Sequence, residues 1–218
     1  GTEIQVPSDI SSAAFFMVGA AITEGSDVTL EAVGINSTRT GVIEILKQMG
    51  ADITVENERI AGGEPIADIR IQGTRTLKGI HMPEDQVPLA IDEFPALFIA
   101  AACAEGRTVL TGAAELRVKE SDRIQVMADG LKTMGIDCTP TDDGIIIEGK
   151  GHSGEWGAIF TGGEIESHHD HRIAMSFSMA GLRTSGEIKI IGTETVATSF
   201  PTFTQLSNQA GLAIQVTE

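Results

Sequence analysis

Positive charge is scarce in this chain. Fifteen Lys and Arg residues face 31 Asp and Glu, for a net charge of −16 over 218 residues. A surface of that sign repels nucleic acid and anionic membranes, so neither is expected as a partner. It also makes every basic cluster informative, because an acidic protein that holds an anionic small molecule must use a few placed cations and helix N-termini. Cysteine is nearly absent. Cys103 and Cys138 stand in apolar or mixed surroundings without CxxC spacing, which predicts reduced thiols of a cytoplasmic protein. No apolar run reaches membrane-spanning length, and the opening GTEIQVPSD lacks the character of a signal peptide. Tryptophan occurs once, at Trp156. Against these absences, a hydrophobic fraction of 41% is enough for one large domain or two small ones.

The densest charge lies in residues 115–124, ELRVKESDRI, where Glu115, Arg117, Lys119, Glu120, Asp122 and Arg123 crowd together. Ser121 and Asp122 are good N-cap types, and Ile124, Met127, Leu131 and Met134 follow at helical spacing. A lysine, a glutamate and an arginine therefore gather at the positive end of a helix, where free N–H groups favour an anion. The plain alternative is a solvated helix start with local ion pairs. A second charged cluster at residues 168–172, HHDHR, and an internal repeat count against it.

Three stretches resemble one another, beginning at Ser8, Ile91 and His169. Each opens with an aspartate (Asp9, Asp92, Asp170), the three separated by 83 and 78 residues. Each continues as an Ala-rich apolar helix, a Gly-bearing turn and a strand at 28–30, 108–110 or 187–191. A second helix is expected at 38–50, 122–135 and 199–211, stopping at Gly50, Gly135 and Gly211. Strands follow as ADITVE, IDCTPT and LAIQVT, and in the first two units ADIRIQG and GIIIEGKG pair back. Residues 56–90 read as a hairpin plus the next unit's leading strand, and the Gly-rich stretch 149–163 as a surface connection covered in part by Trp156. A period this long suits an α/β domain of pseudo-threefold symmetry. The all-apolar first helices are predicted to be buried and roughly parallel, with the amphipathic second helices outside them.

RVKESDR, DHRIAMSFSMAGL and ATSFPTF resemble the C-terminal half of the 5-enolpyruvylshikimate-3-phosphate synthase family, over essentially the whole chain. NSTRTGVIEILKQMGADI and IDEFPALFIAAA are similar to its glyphosate-tolerant bacterial subclass. The resemblance implies an inside-out α/β barrel of three βαβαββ units. Residues 1–218 would form one of two domains, the active site lying in the cleft against an N-terminal domain that this chain does not include. It implies phosphoenolpyruvate and shikimate 3-phosphate as substrates, no cofactor, and half a catalytic site in this chain. Another enolpyruvyl transferase, of the UDP-N-acetylglucosamine type, is disfavoured by KESDR. A noncatalytic α/β assembly module is the reading from a different class.

On that resemblance, Asp92 is the proton acceptor that contacts the shikimate hydroxyls, with plain helix capping as its alternative. Glu93 is expected to face solvent. Glu120 is placed for proton transfer at the phosphoenolpyruvate carbon, and Lys119 reaches the substrates. Arg123 and Arg172 grip phosphoenolpyruvate, since guanidinium forks suit its carboxylate and phosphate oxygens. His171 supports by hydrogen bonding. His168, His169 and His171 are not expected to hold a metal, because neighbouring histidines at one helix start rarely converge. Where other members carry a lysine before the ATSFP-like segment, this chain has Glu194.

Overall fold

The computed structural model describes residues 6–74, 77–151 and 156–217. Its core is one continuous apolar cluster built around three helices: α1 (Ile10–Ala21), α3 (Phe94–Cys103) and α5 (His171–Ala180). All ten residues of α3 are buried, as are ten of the twelve in α1, which is what an apolar circumference demands. The three helices pack against one another. Their N-terminal ends meet at one pole: the Ser11 hydroxyl of α1 bonds to Glu93 before α3, and Arg172 of α5 bonds to the Asp92 carbonyl. At the other pole Gly19 of α1 lies against Met179 of α5, so these two helices run the same way.

Strands follow each core helix. In the first unit β1 (Asp27–Gly34), β2 (Asp52–Ala61) and β3 (Glu64–Gln72) form an antiparallel sheet in the order β1-β3-β2. The second unit repeats this with β4 (Glu105–Leu110), β5 (Asp137–Thr141) and β6 (Gly144–Lys150), ordered β4-β6-β5. In both, the returning hairpin strand takes the middle place. The leading segment pairs parallel with the strand after the core helix in every unit: Ser8 with Val33, His81 with Val109, and β7 (Gly163–Glu166) with β8 (Ile188–Ile191).

The second helices α2 (Gly41–Gln48) and α4 (Arg123–Thr133) are amphipathic, as expected. Val42, Ile43, Ile45 and Leu46 face the core while Glu44, Lys47 and Gln48 face solvent. Each ends on Met49 or Met134, followed by glycine in the left-handed region: Gly50 at φ 92° and Gly135 at φ 83°. Gly130 sets the spacing of α4 from α5. A Cβ there would stand 2.3 Å from the ring of the buried Phe177.

Three expectations need correction. The helix expected at 199–211 is shorter, α7 (Phe203–Gln209), and a separate helix not expected there, α6 (Glu194–Ser199), precedes it. Pro201 keeps Phe200 out of the helical region, where it sits at φ −139° and ψ 77°. α7 then docks on α1 through Phe203 against Phe15 and Phe16. LAIQVT forms no strand among the described residues, because the Asn208 side chain takes both backbone groups of Ile214, at 2.7 and 2.9 Å. The stretch 149–163 is only partly a surface connection. Residues 152–155 lie outside the described ones, Gly149 and Lys150 close β6, and Ile159 and Phe160 are buried. Trp156 stacks on Arg183, whose guanidinium carbon is 5.3 Å from the ring centre.

Candidate active site

The pole where the three core helices begin carries the charge. α4 opens with Arg123, held in place because the N-cap Asp122 accepts from the Gln125 amide at 3.0 Å. From that first helical position the Arg123 side chain runs inward and is only 1% exposed. A guanidinium buried to that degree must be paired and its N–H groups hydrogen-bonded, and it meets three carboxylates. Nε donates to Asp170 Oδ2 at 2.8 Å, Nη1 to Asp92 Oδ1 at 3.1 Å, and Nη2 to Glu120. The three acids come from the starts of α5, α3 and α4, so one side chain fastens the openings of three helices.

Two further cations join the cluster. Lys119 Nζ lies 3.5 Å from Asp92 Oδ1 and 2.7 Å from Glu115. Arg172 Nη1 donates to the Asp92 carbonyl at 2.9 Å, with Nη2 3.8 Å from Asp92 Oδ2. Three cations thus surround Asp92. Burial pushes its carboxyl up, but the charges of Arg172, Lys119 and Arg123 together outweigh that and hold it below the usual range. Asp170 is likewise pushed up by burial and more strongly pulled down by its hydrogen bond and ion pair with Arg123, helped by the Ser121 hydroxyl at 2.9 Å. The hydrogen bond that Lys119 donates to Glu115 is the main cause that raises its ammonium. At His171, burial first and the neighbouring Arg172 second push the imidazole below its ordinary value, so it is neutral at pH 7.

The six candidate residues therefore lie together, but in different postures. Arg172 is 16% exposed at its side chain and Glu120 is 51% exposed, so both reach the surface of the pole. Asp92 is not an N-cap. Glu93 holds that position, and the Asp92 carboxylate turns to the cations. Asp9 caps α1 through Ser12 at 2.8 Å and shares none of the charged cluster. Glu93 overturns the expectation of a solvent-facing side chain, being 2% exposed as a residue and bonded to Ser11. Asp170 is a further member, which the repeat pattern placed at this pole as a helix opener but not among the site residues. Glu194 accepts from His169, the ring Nδ1 being 3.1 Å away, and both side chains are exposed.

This cluster of cations and carboxylates can orient an anion at Arg172 and accept a hydrogen bond from a hydroxyl at Asp92. A match to the EPSP synthase (3-phosphoshikimate 1-carboxyvinyltransferase) family model spans residues 1–206. The chain belongs to the EPSP synthase family. Relatives in that family include proteins named 3-phosphoshikimate 1-carboxyvinyltransferase from Nitrosococcus oceani and Methylococcus capsulatus. Each is 63% identical, over 99% of this chain and 46% and 47% of their own lengths. A solved EPSP synthase from Acinetobacter baumannii superposes with a TM-score of 0.99 at 88% identity, covering 100% of this chain and 49% of that one. The enolpyruvyl transferase NikO from Streptomyces tendae shares the fold at a TM-score of 0.73 and 17% identity, over 97% of this chain and 45% of its own. The chain thus spans about half the length of the EPSP synthases it matches. Among the described residues, no helix is long and apolar enough to cross a membrane.

Proposed function

We propose that the protein to which this chain belongs transfers the enolpyruvyl group of phosphoenolpyruvate to the 5-hydroxyl of shikimate 3-phosphate, releasing phosphate on the way to chorismate and the aromatic amino acids. The observation that carries the reading is the convergence of Asp92, Lys119, Glu120, Arg123 and Arg172 on one pole, in a chain of this family. The half of the site on this chain would be completed by an N-terminal domain of the same enzyme. The reaction would run in the cytoplasm, which suits two buried thiols that burial pushes up to about 12 at Cys103 and about 11 at Cys138.

The chemistry needs a proton delivered to the methylene carbon of phosphoenolpyruvate and one removed from the hydroxyl. The hydroxyl oxygen then bonds to the central carbon. Loss of a methyl proton from that tetrahedral intermediate expels phosphate and restores the double bond. Arg172, with Arg123 behind it, would take the carboxylate and phosphate of phosphoenolpyruvate, and Lys119 would reach both substrates. His171, neutral at the first position of α5, would support by hydrogen bonding. Glu120 would pass the proton to carbon and Asp92 would take the proton from oxygen. The crowd of cations makes Asp92 a weak base by itself. The negative charge that the substrates bring beside these cations offsets that depression, so basicity rises once substrate is bound.

The test is phosphate release by the full-length protein from the two substrates. Asp92→Asn is expected to lower kcat by about 10²–10⁴-fold, the usual share of a general base. This chain alone is expected to fold without turnover. Turnover with UDP-N-acetylglucosamine in place of shikimate 3-phosphate would assign the protein to the other enolpyruvyl transferase class. Absence of turnover with either, and of phosphoenolpyruvate binding by calorimetry, would leave the assembly-module reading.

A further inference from the structure

Glu93 is a buried acid that the proposed chemistry does not use. It occupies the N-cap position of α3, yet its carboxylate makes no bond to that helix. Ser, Asn or Asp would serve a helix start better. Instead Oε1 accepts the Ser11 hydroxyl from α1 and lies 3.8 Å from Arg39 Nη2 and 3.9 Å from Arg172 Nη1. Arg39 also donates to the Ser11 oxygen at 2.6 Å. One oxygen therefore gathers groups from α1, from the approach to α2 and from α5. The Arg172 nitrogen that faces it is the same one that donates to the Asp92 carbonyl at 2.9 Å. On its other side Arg172 faces the Asp92 carboxylate at 3.8 Å. A guanidinium on a long side chain held between two carboxylates and a carbonyl has lost most of its freedom before any ligand arrives, which is what preorganisation requires.

We propose that Glu93 is a positioning residue for Arg172: its buried carboxylate, tied to Ser11 and flanked by Arg39, fixes that guanidinium against Asp92 in the orientation that receives the anionic substrate. The inference rests on the function proposed above. Its test is the full-length Glu93→Gln enzyme, which keeps the shape and the acceptor for Ser11 but removes the charge facing both guanidinia. In its crystal structure Arg172 Nη1 is expected to leave the Asp92 carbonyl by about 1 Å or more, and kcat to fall about 10- to 100-fold. KM for phosphoenolpyruvate is expected not to rise, because losing a negative charge beside Arg172 favours an anion. A merely structural glutamate would lower the melting temperature and leave kcat of the folded enzyme unchanged. Ser11→Ala keeps the charge and cuts the tether, and should lower kcat in the same direction by a smaller factor. Arg172 unmoved in Glu93→Gln, or a wild-type kcat in it, overturns the proposal. Should that variant fail to fold, an unmoved Arg172 with wild-type kcat in Ser11→Ala does so. Lack of turnover in the wild type would refute the function proposed above, while the position of Arg172 still decides this inference.

Discussion

Two adjacent acids, Asp92 and Glu93, look in opposite directions and are solved in opposite ways. Asp92 turns to Arg123 and Lys119 of the second unit and Arg172 of the third, which surround it and drive its carboxyl down. Glu93 turns to the first unit, and burial wins over Ser11 and Arg39 there and over Arg172 of the third, driving its carboxyl up. The arginines at the two helix approaches differ to match. Arg123 is 1% exposed and meets three carboxylates, whereas Arg39 is 47% exposed and touches one hydroxyl and one distant carboxylate. The starts of the two second helices thus carry a saturated ionic hub in one unit and a looser tether in the other. Depth of burial, more than the count of charges, separates them.

The largest effect should come from the hub. Arg123→Ala leaves Asp170 buried without its partner, and losing one member of a buried pair costs about 3–5 kcal/mol. Urea unfolding of the full-length protein should show that loss, and turnover should vanish with it. Equal costs for Arg123→Ala and Arg39→Ala would break the comparison.

A smaller effect distinguishes the two acids by pH. Asp92 and Asp170 have folded values below their unfolded ones. Their stabilisation is complete above the ordinary carboxylate range near about pH 4 and is lost as pH falls through the folded values. Asp170→Asn should therefore shrink the difference between urea midpoints at pH 7 and pH 3. Glu93 has the opposite sign, since its folded value lies above the unfolded one. It binds its proton more readily when folded, so its ionisation subtracts stability as pH rises. Glu93→Gln should consequently leave the midpoint at pH 7 unchanged or higher. A lowered midpoint there would place Glu93 with Asp92.

The smallest effect is expected at Arg39. Half-exposed, with its carboxylate 3.8 Å away, it should cost less than about 1 kcal/mol of stability on substitution by alanine. Thermal melts beside those of Arg123→Ala sharpen the contrast.

Much of this was legible in the residues. The all-apolar helices led directly to the core, and the spacing of Asp92 and Asp170 led to the pole where they share Arg123. Motif and fold agree because RVKESDR is both a helix start and a charge cluster. Other features were hidden for physical reasons. The burial of Glu93 depends on Ser11, 82 positions away, and on how closely α1 approaches α3. No local pattern carries that distance. The break at Phe200 was readable from Pro201, but Asn208 replacing a strand partner for Ile214 was not, since alternation alone predicts a strand.

Gly130 and Phe177 act as a feeler gauge between α4 and α5. The gap they define, with no room for one methyl, is set several residues along each helix from the charged pole. Yet these are the two helices whose first residues bring Arg123 to Asp170. A shim at the gauge would tilt the jaws at the far end, and a 2.8 Å bond tolerates little tilt. The tolerance of the ionic hub is thus machined into an apolar contact that carries no charge of its own.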